Sequence, residues 1–142
     1  MKKDAVISAL GQHRYCLTRI WDEDRGKVLF IMLNPSTADA EKDDATTARC
    51  INIAKRWGCG GIMIGNIYSY RTKSPKILKR WLKRRTMMPN SHYININYVK
   101  RMAEEAHLVI CAWGGNHKGT PEWLEDYDLH YLKLCKDGLT PK

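Results

Sequence analysis

Three short polar segments carry the residue types that could do chemistry, and each follows directly on an apolar run. The first is Asn34-Pro35-Ser36-Thr37-Ala38-Asp39, after the run Val28 to Leu33 (VLFIML). Proline with a Ser/Thr pair suits a tight turn whose amides and hydroxyls hold an anion or a water. An ordinary strand-to-loop turn, with Asn34 bonded to its own backbone, is the alternative. Asp39, Glu41, Asp43 and Asp44 crowd the next stretch. Carboxylates so placed could supply a general base or oxygen ligands for a hard cation, but the spacing is not that of a calcium loop. Asp43 or Asp44 also reads as the cap of a following helix, and no metal is assigned.

The second segment holds Asn66, Tyr68 and Tyr70, which strand alternation places on one side, followed by Arg71. Aromatic rings beside cations suit an unstacked base, since stacking contributes about 1–3 kcal/mol per base. A core tyrosine with a satisfied hydroxyl is the competing reading. The third, Trp113-Gly114-Gly115-Asn116-His117-Lys118-Gly119, joins glycines that allow close backbone approach to a histidine at the same edge. His13, His92, His107 and His130 have no comparable context. Gly-rich phosphate loops, nucleophile elbows and zinc motifs are absent from the sequence.

The net charge of +9 is concentrated. Arg71, Lys73, Lys76, Lys79, Arg80, Lys83, Arg84 and Arg85 fall in one stretch with no acidic residue, and the rest of the chain nearly balances. Ser74-Pro75 predicts a helix start, and Ile77/Trp81 and Leu78/Leu82 form i,i+4 apolar pairs behind the charges. A basic amphipathic helix of this kind neutralises phosphates by releasing counterions, so its natural partner is nucleic acid. An anionic membrane surface or an acidic protein partner is the alternative.

The elements that must position these groups follow from the apolar pattern. Tyr15 to Trp21 (YCLTRIW), the turn residues Asp22 to Gly26 and the run Val28 to Leu33 predict a hairpin feeding a buried strand. Asp44 caps a helix through Trp57 that Gly58 closes, and Gly61 to Ile67 is a second buried strand. A helix from about Ile94 to His107 and a third buried strand, Leu108 to Trp113, come next. Thr120-Pro121 starts a short helix, and His130 to Cys135 is a fourth strand candidate.

This pattern predicts one α/β domain over residues 1–142: a three-layer α/β/α sandwich with a mainly parallel four-stranded sheet and an antiparallel edge strand. Ligands of such sheets bind beyond the carboxyl ends of the strands, where all three polar segments lie. At 142 residues the chain supports one core. It has no run of the roughly 18–20 apolar residues that span a membrane and no signal peptide, so a cytoplasmic protein is expected. Cys16, Cys50, Cys59, Cys111 and Cys135 are odd in number without a C-x-x-C pair, and read as buried, reduced thiols.

In chain order, RYCLTRIWD (14–22), FIMLNPSTADAEKDDATTARCINIAKRWG (30–58), GNIYSYRTKSP (65–75) and CAWGGNHKG (111–119) resemble the signature of a bacterial and phage family called domain of unknown function 1643. More distantly, Leu33-Asn34-Pro35 at a strand end is similar to the first active-site motif of the uracil-DNA glycosylase superfamily, particularly its mismatch-specific branch. Asn66 and the aromatic residues after it fall where that superfamily has its second-strand Asn, and LVICAWGGNHKG (108–119) resembles its strand ending in Trp-Gly. The superfamily's second catalytic motif follows the last strand, where this family continues into a His-Pro-Leu-Tyr-like stretch. That stretch would begin at Lys142, where the given sequence stops, so either it lies beyond Lys142 or the protein lacks it.

The resemblance implies a glycosylase-like fold that hydrolyses the N-glycosidic bond of a nucleotide flipped out of DNA, without a cofactor. The basic helix would grip the backbone, Tyr68 or Tyr70 would stack on the base, and Asn66 would read its polar edge. Pro35, Ser36, Thr37, Trp113 and Gly114 would complete the substrate-binding set. Because the transition state is oxocarbenium-like, a placed water matters more than a strong nucleophile. An amide is no general base at neutral pH, so Asn34 would orient the water, Asp39 or Asp43 would accept its proton, and His117 or the glycine-loop amides would stabilise the departing base. The rival is a non-enzymatic nucleic-acid- or protein-binding module on the same fold, such as a phage factor acting on host DNA or repair proteins. A third reading is an enzyme of free nucleosides or nucleotides.

Overall fold

Residues 28–32, 61–65 and 108–111 are apolar on both faces because both faces of their sheet are covered. They lie in strands β3 (Lys27–Met32), β4 (Gly61–Asn66) and β5 (Leu108–Cys111), preceded by β1 (Lys2–Ile7) and β2 (Arg14–Ile20). The helices are α1 (Ala45–Arg56), α2 (Pro75–Lys83), α3 (Asn90–Glu105) and the single turn α4 (Glu122–Glu125). This computed structural model describes residues 1–114 and 122–125.

Alternation along β3 sorts the core into two clusters. Val28 and Phe30 pack with Ile62, Ile64 and, from α1, Cys50, Ile51 and Ala54. Leu29 and Ile31 pack with Met63, Val109 and, from α3, Val99, Met102 and Ala103. Fully burying one such aliphatic side chain contributes about 1.5–3 kcal/mol, so these clusters fix which helix lies on which face. The approach of α3 is close: a Cβ at Gly65 would meet Met102 Cε at 2.9 Å and Val99 Cγ2 at 3.1 Å.

The sheet has five strands in the order β1-β2-β4-β3-β5. The β3–β4 and β3–β5 pairs are parallel, whereas β1–β2 and β2–β4 are antiparallel. The sheet is therefore mixed, which corrects the expectation of a mainly parallel one. The expected hairpin between β2 and β3 does not form either: β2 pairs with β1 on one side and with β4 on the other. The antiparallel strand is thus interior. β1 escapes a reading of the sequence because its first half, Lys2 to Asp4, is charged and exposed.

Helix ends follow their local chemistry. Asp44 caps α1 by accepting from Thr47 N, Lys55 and Arg56 complement the dipole in the last turn, and Gly58 follows at φ +75°. Ser74 caps α2 with Pro75 in its first turn. α3 begins at Asn90, four residues before the apolar spacing suggests, because its first turn presents no buried residue. The strand candidate His130 to Cys135 lies outside the described residues. Among the described residues no helix is long and apolar enough to cross a membrane. Cys16, Cys50, Cys59 and Cys111 form no disulfide among the described residues, and burial pushes the Cys16 thiol up to about 11 and the Cys50 thiol up to about 12.

Candidate functional site

Because β2 runs against β4, its first residue, Arg14, arrives at the end of the sheet where β3 and β4 finish. The N-terminus of α1 meets the same edge. Together they enclose a cavity of about 210 Å³. Its polar wall is formed by Arg14, Asn34, Ser36, Asp44, Thr46 and Asn66, and its apolar wall by Met32, Leu33, Pro35, Ile64, Ala112 and Trp113.

Asn66, the last residue of β4, is 1% exposed, and neither Oδ1 nor Nδ2 has a hydrogen-bond partner. An amide buried without partners costs about 1–3 kcal/mol per unsatisfied group, so nearly all buried polar atoms in folded proteins are paired. Here both atoms of one side chain are available beside a cavity. The main chain beneath it is held from α3, where buried Asn95 donates from Nδ2 to the Asn66 carbonyl at 2.8 Å.

Arg14 is 3% exposed. Its Nη1 donates to the Ala38 carbonyl at 3.1 Å, while Nε has no partner. Burial lowers its pKa to about 10, which still leaves it charged at neutral pH. Asp44 accepts from Thr47 N, the Thr47 hydroxyl and Ala38 N. Burial raises its carboxyl, but these hydrogen bonds and the nearby Arg14 outweigh burial and hold it below the usual range. It is ionised at neutral pH.

Asn34 and its neighbours do line the cavity, but the Asn34 amide nitrogen faces backbone. Nδ2 lies 2.9 Å from the Thr72 carbonyl, 3.3 Å from that of Tyr70 and 3.2 Å from that of Pro35. Arg71 performs a similar task nearby, donating to the carbonyls of Gly11, Ser36 and Thr37. It joins three loops, a structural task beside its expected role as a phosphate ligand.

The carboxylates expected as bases lie elsewhere. Asp39 turns back on its own loop, accepting from Glu41 N and Lys42 N, and those bonds lower its pKa. Asp43 is held at 2.7 Å by Nε of Arg19, whose side chain is fully buried. Neither lines the cavity; Asp44 does. The two tyrosines also depart from expectation. β4 ends at Asn66 and the chain bends at Ile67 and Tyr68, so alternation stops. Tyr68 stacks on His92 at 6.2 Å, and Tyr70 stacks on Trp81 of α2 at 4.8 Å. Trp113 is half-buried against the cavity and Gly114 is exposed, whereas His117 lies outside the described residues.

On α2 the charges stand clear of the core. Lys73, Lys76, Lys79, Arg80, Lys83 and Arg84 are exposed, and all but Lys73 line one open depression. Arg85 is spent on Trp81, its guanidinium carbon 3.9 Å from the ring centroid. Of the apolar pairs, Leu78 is buried but Ile77 is 43% exposed, so the helix sits on the body by a narrow stripe completed by the Trp81–Tyr70 stack.

Sequence reasoning misses Arg14 and Asn95. Arg14 opens a strand, where a charge reads as a boundary. Asn95 precedes Val99 and Met102 at helical spacing, so a polar residue on the buried face of α3 is the available signal.

These features define a mixed α/β protein with a polar, partly unsatisfied cavity at the carboxyl ends of parallel strands. A family model described as "Protein of unknown function (DUF1643)" matches residues 14–139, and the chain belongs to that family. No curated protein and no solved structure matches it.

Proposed function

We propose that this chain binds DNA through α2 and takes an extruded nucleobase into the cavity, where its N-glycosidic bond is hydrolysed. The observation that carries this reading is Asn66, a buried amide with a free donor and a free acceptor at a cavity of ring-ligand size. One planar amide offers the paired donor and acceptor that a base edge requires, and flipped bases are read in this way. The likeness of Leu33-Asn34-Pro35, Asn66 and the Trp113 segment to the uracil-DNA glycosylase superfamily supports the same reading. So does the placement of helices on both sheet faces, as in a three-layer sandwich, though fold likeness alone assigns no chemistry.

In this mechanism Asn34, with its nitrogen committed to backbone, offers Oδ1 to a water. Asp44 replaces Asp39 and Asp43 as the carboxylate at the site. Its negative charge stabilises the oxocarbenium character that develops at the sugar and helps orient the attacking water. The exposed cations of α2 neutralise backbone phosphates, which offsets the cost of extrusion.

A binding module without catalysis is the second reading, favoured by the commitment of Asp39 and Asp43 to structural roles. Incubation with duplexes carrying uracil, mismatches or modified bases, followed by alkali, separates the two. Strand breaks that appear only after alkali are expected. Binding without breaks identifies a module, and base release from free nucleosides alone identifies a small-molecule enzyme.

A further inference from the structure

Arg14 brings a positive charge to the cavity with its hydrogen-bonding capacity only partly used. Among the described residues no carboxylate lies within 4.0 Å of it, its Nη1 is used on Ala38, and its Nε–H has no partner. A guanidinium has donors only, and a buried donor left without a partner is costly. Asp44, the nearby carboxylate, already accepts three hydrogen bonds from Thr47 and Ala38. The unmet demand at this cavity is therefore for an acceptor on the ligand, and Arg14 lines it together with the unpartnered Asn66 amide.

Resting on the base-excision reading above, we propose that Arg14 is the catalytic residue that stabilises the departing base, and that the substrate is an oxo-base able to leave as an anion. As the C1′–N bond breaks, its electron pair passes to the ring nitrogen and spreads onto a carbonyl oxygen facing Arg14. The water oxygen bonds to C1′, and the proton it sheds ends on the released base, so the products are an abasic sugar and the neutral base. A preorganised charge aimed at that oxygen acts where negative charge develops. Asn66 holds the ring edge throughout, and Arg14 gains strength only as the bond breaks.

The test compares duplexes carrying uracil or the more acidic 5-fluorouracil at one position. The wild-type chain releases both at similar rates. Arg14→Gln and Arg14→Met lower kcat for uracil by about 10²- to 10³-fold with KM little changed, and lower it much less for 5-fluorouracil. Arg14→Lys, which keeps the charge, retains the flat response. Arg14→Met exchanges a buried charge for an apolar chain, a change folds tolerate, and circular dichroism checks that it is folded. Equal losses on both substrates, or no loss, overturn the role of Arg14. Release by the wild type of some base but of neither uracil nor 5-fluorouracil overturns the substrate assignment, and release of no base from any of the duplexes named above overturns the base-excision reading itself.

Discussion

Asn95 reaches from α3 to the main chain of β4, so that one buried amide fixes the backbone carrying another: its Nδ2 lies 2.8 Å from the Asn66 carbonyl. Asn95→Leu removes that donor and leaves a buried carbonyl unpaired, a loss of about 1–3 kcal/mol. Urea denaturation should show the lowered midpoint, and Asn95→Asp, which also cannot donate, should be no better.

Arg19 pins the loop between β3 and α1. Fully buried, it bonds Asp43 Oδ1 through Nε and the carbonyls of Asp39 and Lys42 through Nη2. Arg19→Ala strands those acceptors together with a partly buried carboxylate, and should cost about 3–5 kcal/mol in chemical denaturation. Asp43→Asn, which leaves the bonds to the carbonyls in place, should cost clearly less.

Asn34 holds backbone and, in the proposed mechanism, a water, and one pair of variants can separate the two. Asn34→Ala should abolish base release while DNA binding stays near normal, and removing its bonds to the backbone should lower stability by about 1 kcal/mol. Asn34→Asp keeps the oxygen but not the donor to Thr72 and Tyr70, so it should be as destabilised yet keep part of the release rate. Full release by Asn34→Ala would sink the assignment.

Reversing Arg80, Lys83 and Arg84 to Glu should weaken binding to every DNA sequence. The log–log salt slope should flatten by about 0.9 for each phosphate that is no longer neutralised. Changing Arg71 instead should lower thermal stability, because its donors hold the Gly11, Ser36 and Thr37 carbonyls.

Acid should destabilise the fold in two stages. His13 has its pKa lowered from 6.5 by burial and then by the charge of Arg85; His92 is lowered by burial. The unfolded chain therefore takes up these protons first, and stability, complete above about 6.5, declines as the pH falls below it. Asp44, held below 3.8, contributes above that value and loses its contribution as the pH drops through its folded-state value. Urea midpoints at pH 7.5 and 5.5 should differ for the wild type and converge for His13→Gln/His92→Gln.

The apolar runs and capping residues make β3, β4, β5, α1 and α2 legible in the sequence, because periodicity and caps are local signals. Strand order is not local: nothing in Tyr15 to Trp21 announces that it pairs with β4 rather than with the nearer β3. The same limit applies to the site. Asn34, Asn66 and Trp113 stand out because each ends a recognisable run. Asp39 and Asp43 mislead because proximity in sequence does not reveal that Arg19 and the loop amides claim them. Tyr68 is misplaced by alternation because alternation holds only while the strand lasts.

The reversed run of β2 has a consequence for how the molecule is made. A nascent chain that has reached residue 60 already contains Arg14, Asn34 and Asp44, but β2 must wait for β4 to slot between it and β3. The cavity that these residues line together with Asn66 is therefore completed only once β4 is in place, and a fragment ending before β4 should lack it.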